Sequence, residues 1–260
     1  MNAKFERYIG IDYSGAQTPS SSLSGLRVYA ANGSNVPQEV LPPPSPRKYW
    51  TRRGTAEWLV ARLSEEPPTL VGIDHGFSFP VQYFEQHRLP LDWPSFLDDF
   101  QRHWPTDENI YVDFVRDGST GNGAVRCGNP RWRRLTGLRA RTAKSVFQFD
   151  VQGSVAKSTH AGIPWLRYIR QHARDRVHFW PFDGWSVPPN RSVVAEVYPV
   201  LWSRTFPADG RTQDQQDAFG IAKWFQQADR DGSLEKYFQP RLEPDERRKA
   251  EIEGWILGII

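Results

Sequence analysis

Five acidic side chains occupy places where a soluble fold seldom leaves a carboxylate without a task. Asp12 and Asp74 each close an apolar, strand-like run, Tyr8-Ile9-Gly10-Ile11 and Leu70-Val71-Gly72-Ile73. Glu196 is embedded in a third run, Val193-Val194-Ala195-Glu196-Val197. Asp214 and Asp217 lie one helical turn apart, in line with the stripe Ala218, Ile221, Trp224, Phe225 and Ala228. Runs this apolar belong to central strands covered on both faces. A carboxylate entering such a place must be paired, protonated or bound to a cation. Hard divalent ions such as Mg²⁺ and Mn²⁺ take carboxylate oxygens, completed by water and substrate phosphate. Two such ions roughly 4 Å apart stabilise both the attacking and the leaving oxygen of a phosphodiester cleavage. Asp12, Asp74, Glu196, Asp214 and Asp217 suit that chemistry in number and type.

Each acid also has a structural explanation. Asp12 before Tyr13-Ser14 can start a turn, and Asp74 can bond local backbone donors. Asp214 and Asp217 favour the positive end of a helix dipole. Glu196 would face elsewhere after a one-residue change of register, where an arginine beneath the sheet could pair with it. Neighbouring groups matter less: His75 is a possible outer-shell donor or proton carrier, and Ser14 suits a turn better than a catalytic hydroxyl. The glycine-rich Gly118–Gly128 lacks the spacing of either common nucleotide-binding loop and reads as a mobile loop. Cys127 within it has no histidine arranged to make it a nucleophile.

The elements that must position the acids follow an α/β order. Strands are expected at Phe5–Asp12 and Leu26–Ala30, with a third near Val40 that Pro42-Pro43-Pro44 ends. Ala56, Leu59, Val60 and Leu63 recur at helical spacing over 55–65, and Pro67-Pro68 stops that helix. The buried strand Leu70–Asp74 follows. From about 81 to 189 the pattern is less regular, with helices near Ser95–Trp104 and Ile163–Arg174 and an apolar run at Val177–Phe182. It reads as an elaboration inserted into a single domain whose core is 1–80 and 190–260. The last helix, about Gln213 to Asp229, should start on an N-cap Thr212 with Gln215 completing a capping box.

At 260 residues with 38% hydrophobic side chains, 11 Trp and 15 Phe, the chain can bury a large core. One cysteine excludes an internal disulfide and a Cys-based zinc site. No signal pattern and no membrane-length apolar stretch is evident, so a cytoplasmic location without membrane association is expected. The net charge of +3 is uneven. Residues 118–149 contain no acid and carry +7, leaving −4 for the rest. Arg131, Arg133, Arg134, Arg139, Arg141 and Lys144 in that stretch suit a polyanion, and Trp132 among them could stack a base. The alternative is a solvated surface, or arginines neutralised by acids elsewhere.

Tyr8-Ile9-Gly10-Ile11-Asp12-Tyr13-Ser14-Gly15-Ala16, Gly72-Ile73-Asp74-His75-Gly76-Phe77-Ser78-Phe79-Pro80 and Ala195-Glu196-Val197-Tyr198-Pro199 resemble motifs of the domain-of-unknown-function family 429. So do Asp214-Gln215-Gln216-Asp217-Ala218-Phe219 and Glu251-Ile252-Glu253-Gly254-Trp255-Ile256, in the same order along the chain. The resemblance implies a predicted nuclease with a ribonuclease H-like fold: a mixed five-stranded sheet flanked by helices, with the acids at its centre. It is also similar to the layout of Holliday-junction resolvases, where Asp12, Asp74, Asp214 and Asp217 match the metal-binding places. Glu196 is an extra acid, and Gln213 stands where a histidine often precedes the helical pair.

The expectation is therefore a metal-dependent nuclease using Mg²⁺ or Mn²⁺, with nucleic acid as partner. An actin-like nucleotide-binding ATPase or kinase is the alternative, although no second copy of the Asp12 motif is present. A non-catalytic binding protein on the same fold is the third possibility.

Overall fold

The computed structural model describes residues 4–14, 17–43 and 48–260. Met1–Ala3, Gly15-Ala16 of the first motif, and Pro44 of the proline run lie outside these residues. A six-stranded mixed sheet forms the centre, in the order β3-β2-β1-β4-β6-β5. The strands are β1 (Arg7–Asp12), β2 (Arg27–Asn32), β3 (Gln38–Glu39), β4 (Thr69–Asp74), β5 (Val177–Trp180) and β6 (Ser192–Glu196). β1, β2 and β3 run antiparallel to one another as a meander, while β4 joins β1 in parallel and β6 and β5 continue parallel beyond it. β1 and β4 are thus central, as their unbroken apolar runs require.

The expected count of five strands is corrected by β5. Its four residues are all buried and pair with β6, so Val177–Trp180 belongs to the sheet and not to an insertion. Four residues are too few to separate an edge strand from a loop by periodicity.

Helices cover both faces. On one face lie α1 (Arg52–Leu63), α2 (Val81–His87), α3 (Trp93–His103), α4 (Val112–Arg116) and α6 (Ala156–Ala173), packed on Ile9, Ile11, Val71, Ile73 and Val194. On the other, α7 (Gln213–Arg230), α8 (Leu234–Phe238) and α9 (Pro244–Glu253) pack on Tyr8, Leu70, Val193 and Ala195. The short α5 (Leu135–Arg139) packs against α9. α6 contacts both α1 and α3 and runs through Pro164, beginning seven residues before the expected Ile163. The segment 81–189 therefore completes the core on that face. Among the described residues, no helix is long and apolar enough to cross a membrane.

Candidate active site

Two glycines decide where the acids meet. Gly10 and Gly72 are direct partners across the parallel β1–β4 pair, each two residues before an aspartate. A Cβ on Gly10 would run into the Ala218 carbonyl and lie 2.8 Å from the Ala222 amide, and one on Gly72 would lie 2.7 Å from Ile221 Cγ2. The side-by-side pair makes a shallow furrow across the sheet centre, and α7 lies in it. Strand alternation puts Tyr8, Gly10 and Asp12 on the α7 face, with Leu70, Gly72 and Asp74 beside them. The register then sets Asp12 directly opposite Asp74. The Gly-Ile-Asp triplet that ends both strands was the signal for this device, and a search confined to acids passes over it.

The first turn of α7 meets those strand ends. Thr212 caps the helix, accepting from the Gln215 amide while the Gln215 side chain accepts from the Thr212 amide, as the spacing predicts. Asp214 reaches the cleft beside Gly25, where a Cβ would lie 3.4 Å from its Oδ2 and 3.2 Å from Ser14 Cβ. Asp12, Ser14, Asp74 and Asp214 share one open cleft of about 590 Å³. Ser154, Lys157 and Ser158 at the start of α6 form its far wall, and Tyr198 and Val200 a third side. Lys157 is paired there with Asp113 at 2.8 Å. Asp217 is not part of the cleft lining. Its two oxygens accept from Gln213 Nε2 at 2.9 Å each, so the residue at the place expected of a histidine orients this carboxylate.

The electrostatics tie the four aspartates together. Burial holds Asp12 well above the ordinary carboxylate range, and the charges of Asp74, Asp214 and Asp217 push it further. Asp74 is raised in the same way by burial, then by Asp217 and Glu196. Asp214 is raised by burial, with Arg27 opposing and Asp217 adding to the shift. Arg27 is the cation that acts on both Asp12 and Asp214, yet its Nη1 is committed to Glu39 at 3.0 Å. The aspartates thus repel one another in a place that disfavours their charge.

These are all-oxygen donors at a solvent-open, electron-rich point, the chemistry a hard divalent cation requires. Among the described residues, no three His, Cys, Asp or Glu side chains are gathered closely enough to cage an ion by themselves.

Glu196 behaves differently, which corrects its expected catalytic place. Pairing of Ile73 with Glu196 puts it on the face of Ile73 and Val194, opposite the aspartates. There it forms a two-pronged ion pair with Arg134, Nη1 to Oε2 at 2.6 Å and Nη2 to Oε1, and accepts the Phe77 amide at 3.0 Å. Glu196 is 3% exposed and Arg134 7%. Arg134 is thereby removed from the expected nucleic-acid surface, and it also donates to the Glu253 carbonyl at 3.1 Å.

The remaining basic residues divide in the same manner. Arg139 pairs with Glu246 at 2.8 Å. Arg133 donates to the Gly137 carbonyl at 2.8 Å and to the Ala143 carbonyl, bracing its own loop. Arg131, Arg141 and Lys144 are exposed and form no ion pair among the described residues. Trp132 is half-buried with its ring 6.1 Å from Phe147, at the edge of the core and not presented to a base.

His75 is also corrected as a proton carrier. It is 2% exposed, wedged between the Tyr13 and Phe77 rings and against Gly162, with Nδ1 2.9 Å from the Gly76 carbonyl oxygen. Burial pulls its pKa down to about 4, so the ring is neutral near pH 7. The glycine-rich loop is pinned: Arg126 bridges to Asp99 at 2.7 Å and Gly123 packs on Trp104. Neither it nor the exposed Cys127 lines the cleft.

No family model matches this chain, and neither does any curated protein or solved structure.

Proposed function

We propose that the chain is a metal-dependent phosphodiesterase that hydrolyses nucleic acid. The observation that carries this is the convergence of Asp12, Asp74 and Asp214 on one cleft, with the charge of Asp217 acting on Asp12 and Asp74 and, among the described residues, no ion pair to Asp12, Asp74 or Asp214. Mutual repulsion among half-buried carboxylates is a standing cost that a divalent cation removes. An antiparallel β1–β2–β3 meander with β4 parallel to β1, acids at both central strand ends and an Asp-x-x-Asp pair on a late helix, supports a ribonuclease H-like architecture. The family-429-like motifs carry these same acids, and fold without site would not suffice.

Asp12, Asp74 and Asp214 would hold Mg²⁺ or Mn²⁺, with Asp217, oriented by Gln213, contributing its charge from behind. The bound ions would lower the pKa of a water and neutralise charge on the phosphate oxygens. Asp12 and Asp74 fix the point of attack because both sit at the ends of rigid central strands. Hydrolysis adds water across one P–O bond, leaving a phosphate on one fragment and a hydroxyl on the other. Arg131, Arg141 and Lys144 supply free positive charge for the polyanion.

Cleavage of single-stranded, duplex and branched substrates with Mn²⁺ tests the assignment. Activity is expected in the parent protein and a loss on the order of 10²-fold in Asp12→Asn and in Asp217→Asn. Equal activity in parent and variants would show that another centre does the chemistry.

A further inference from the structure

Behind Asp74 the cleft narrows into a recess of opposite character. Asp74, Gly153, Val155 and Tyr198 line both spaces, so the two are continuous. Arg133, Lys144 and Ser145 line the recess together with Val146, Ile256 and the Arg134–Glu196 pair. Arg134 and Glu196 cancel one another. Arg133 has only carbonyl partners, and its buried Nε has none among the described residues. Lys144 likewise donates to a carbonyl, that of Gln152. Among the described residues neither Arg133 nor Lys144 has a carboxylate partner, and both stand beside the acid cluster at Asp74.

Size and shape narrow the occupant. The recess offers about 30 Å³ to the centres of water-sized groups. At roughly 10–15 Å³ per water this is the space of two or three waters, which suits a compact group such as a phosphate better than a planar base. Arg134, Val146, Glu196 and Ile256 in its lining are buried in the core, and a space this small has no room for a strand to enter and leave again. An internal phosphodiester continues in both directions, whereas a terminal phosphate does not.

We propose that this recess, through Arg133 and Lys144, seats the terminal phosphate of a nucleic-acid strand and makes the protein act from strand ends. This rests on the phosphodiesterase assignment for its catalytic consequence, but phosphate capture is a binding event that can be read without turnover. Charge-assisted bonds to phosphate from Lys144, with the charge of Arg133 added, set the affinity.

The test titrates the metal-free protein with single-stranded oligonucleotides carrying a 5′-phosphate, a 3′-phosphate or two hydroxyl ends, by calorimetry. One phosphorylated end is expected to bind about tenfold more tightly than the hydroxyl-ended strand. Lys144→Ala should erase that preference, and Lys144→Arg should restore it. Asp12→Asn should retain it, because Asp12 is not part of the recess. With Mn²⁺, the same end should be degraded faster by the parent protein. End-specific binding without cleavage would uphold the recess and refute the hydrolytic assignment. Equal binding of all three strands, or an unchanged preference in Lys144→Ala, would overturn the recess as a phosphate seat while leaving the acid cluster untouched.

Discussion

Two sets of carboxylates, one buried and one half-buried, lie within one sheet-width of each other and have opposite fates. On the α6 side, Glu196 is matched by the guanidinium of Arg134 and by the Phe77 amide. On the α7 side, Asp12, Asp74 and Asp214 have each other, and Arg27, the cation that acts on Asp12 and Asp214, is held by Glu39. A paired buried acid is a structural part whose loss strands its partner. An unpaired cluster stores repulsion that only protonation or a bound cation relieves. The difference separates residues that keep the fold from residues available for chemistry, although Asp12, Asp74 and Glu196 all stand in apolar runs of the sequence.

The largest expected effect lies on the paired side. Arg134→Met should leave Glu196 charged and buried without a partner, costing about 3–5 kcal/mol. Urea unfolding followed by tryptophan fluorescence measures this. A loss below about 1 kcal/mol would erase the distinction, since Glu196 would then behave like the aspartates.

On the unpaired side the sign reverses. Asp74→Asn removes a charge that its surroundings disfavour, so it should abolish hydrolysis while raising the metal-free melting midpoint at pH 7.5. A rise of roughly 2–4 °C corresponds to about 1 kcal/mol in a protein of this size. If the midpoint drops, Asp74 is a structural acid after all.

The pH dependence sharpens the same contrast. Asp12, Asp74 and Asp214 have folded pKa values raised above their unfolded value of 3.8. Between the two values the folded state binds more protons, so their contribution to stability is complete below pH 3.8 and declines as pH rises through the raised values. His75 and His160, buried and lowered to about 4 and about 3, oppose this, because the unfolded chain gains protons below 6.5. The informative quantity is therefore the parent's stability minus that of Asp12→Asn as a function of pH. It should fall from pH 4 towards pH 8 without metal and flatten with millimolar Mg²⁺; a flat difference in both conditions would mean that the aspartates are not coupled.

The smallest effects concern the basic stretch, where the same rule of paired against free charge applies. Arg131→Ala and Arg141→Ala should each weaken binding to a single strand about two- to threefold and lower the salt slope by about one. Arg139→Ala, whose guanidinium is already neutralised by Glu246, should change the slope by less. Fluorescence anisotropy between 50 and 200 mM salt distinguishes them.

Much of the fold is legible from periodicity. The capping box at Thr212 and Gln215, the β2–β3 continuation of the opening strand and the two central strands all appear where local patterns put them. The weaker signals are those without a local rule. β5 is too short to show a period, and α6 carries an internal proline that ordinarily marks a helix start. Among the site residues, Asp12, Asp74 and Asp214 converge as their strand-end and first-turn positions suggest. Glu196 and Arg134 look equally promising one at a time, because an acid in an apolar run and an arginine in a basic run say nothing about each other 62 residues apart.

Local patterns along the chain supply the ingredients: strands ending in acids, a helix beginning with a spaced pair, and a long acid-free stretch rich in arginine. Which acids remain unpaired was decided only by tertiary structure. Register, fixed by burial on two faces, turned Asp12 and Asp74 towards α7 and Glu196 away. The paired Gly10 and Gly72 then let the helix settle close enough for the aspartates to act on one another. Coulomb forces depend on distance through space, and in a folded chain the groups that are close are chosen by packing and not by position along the sequence.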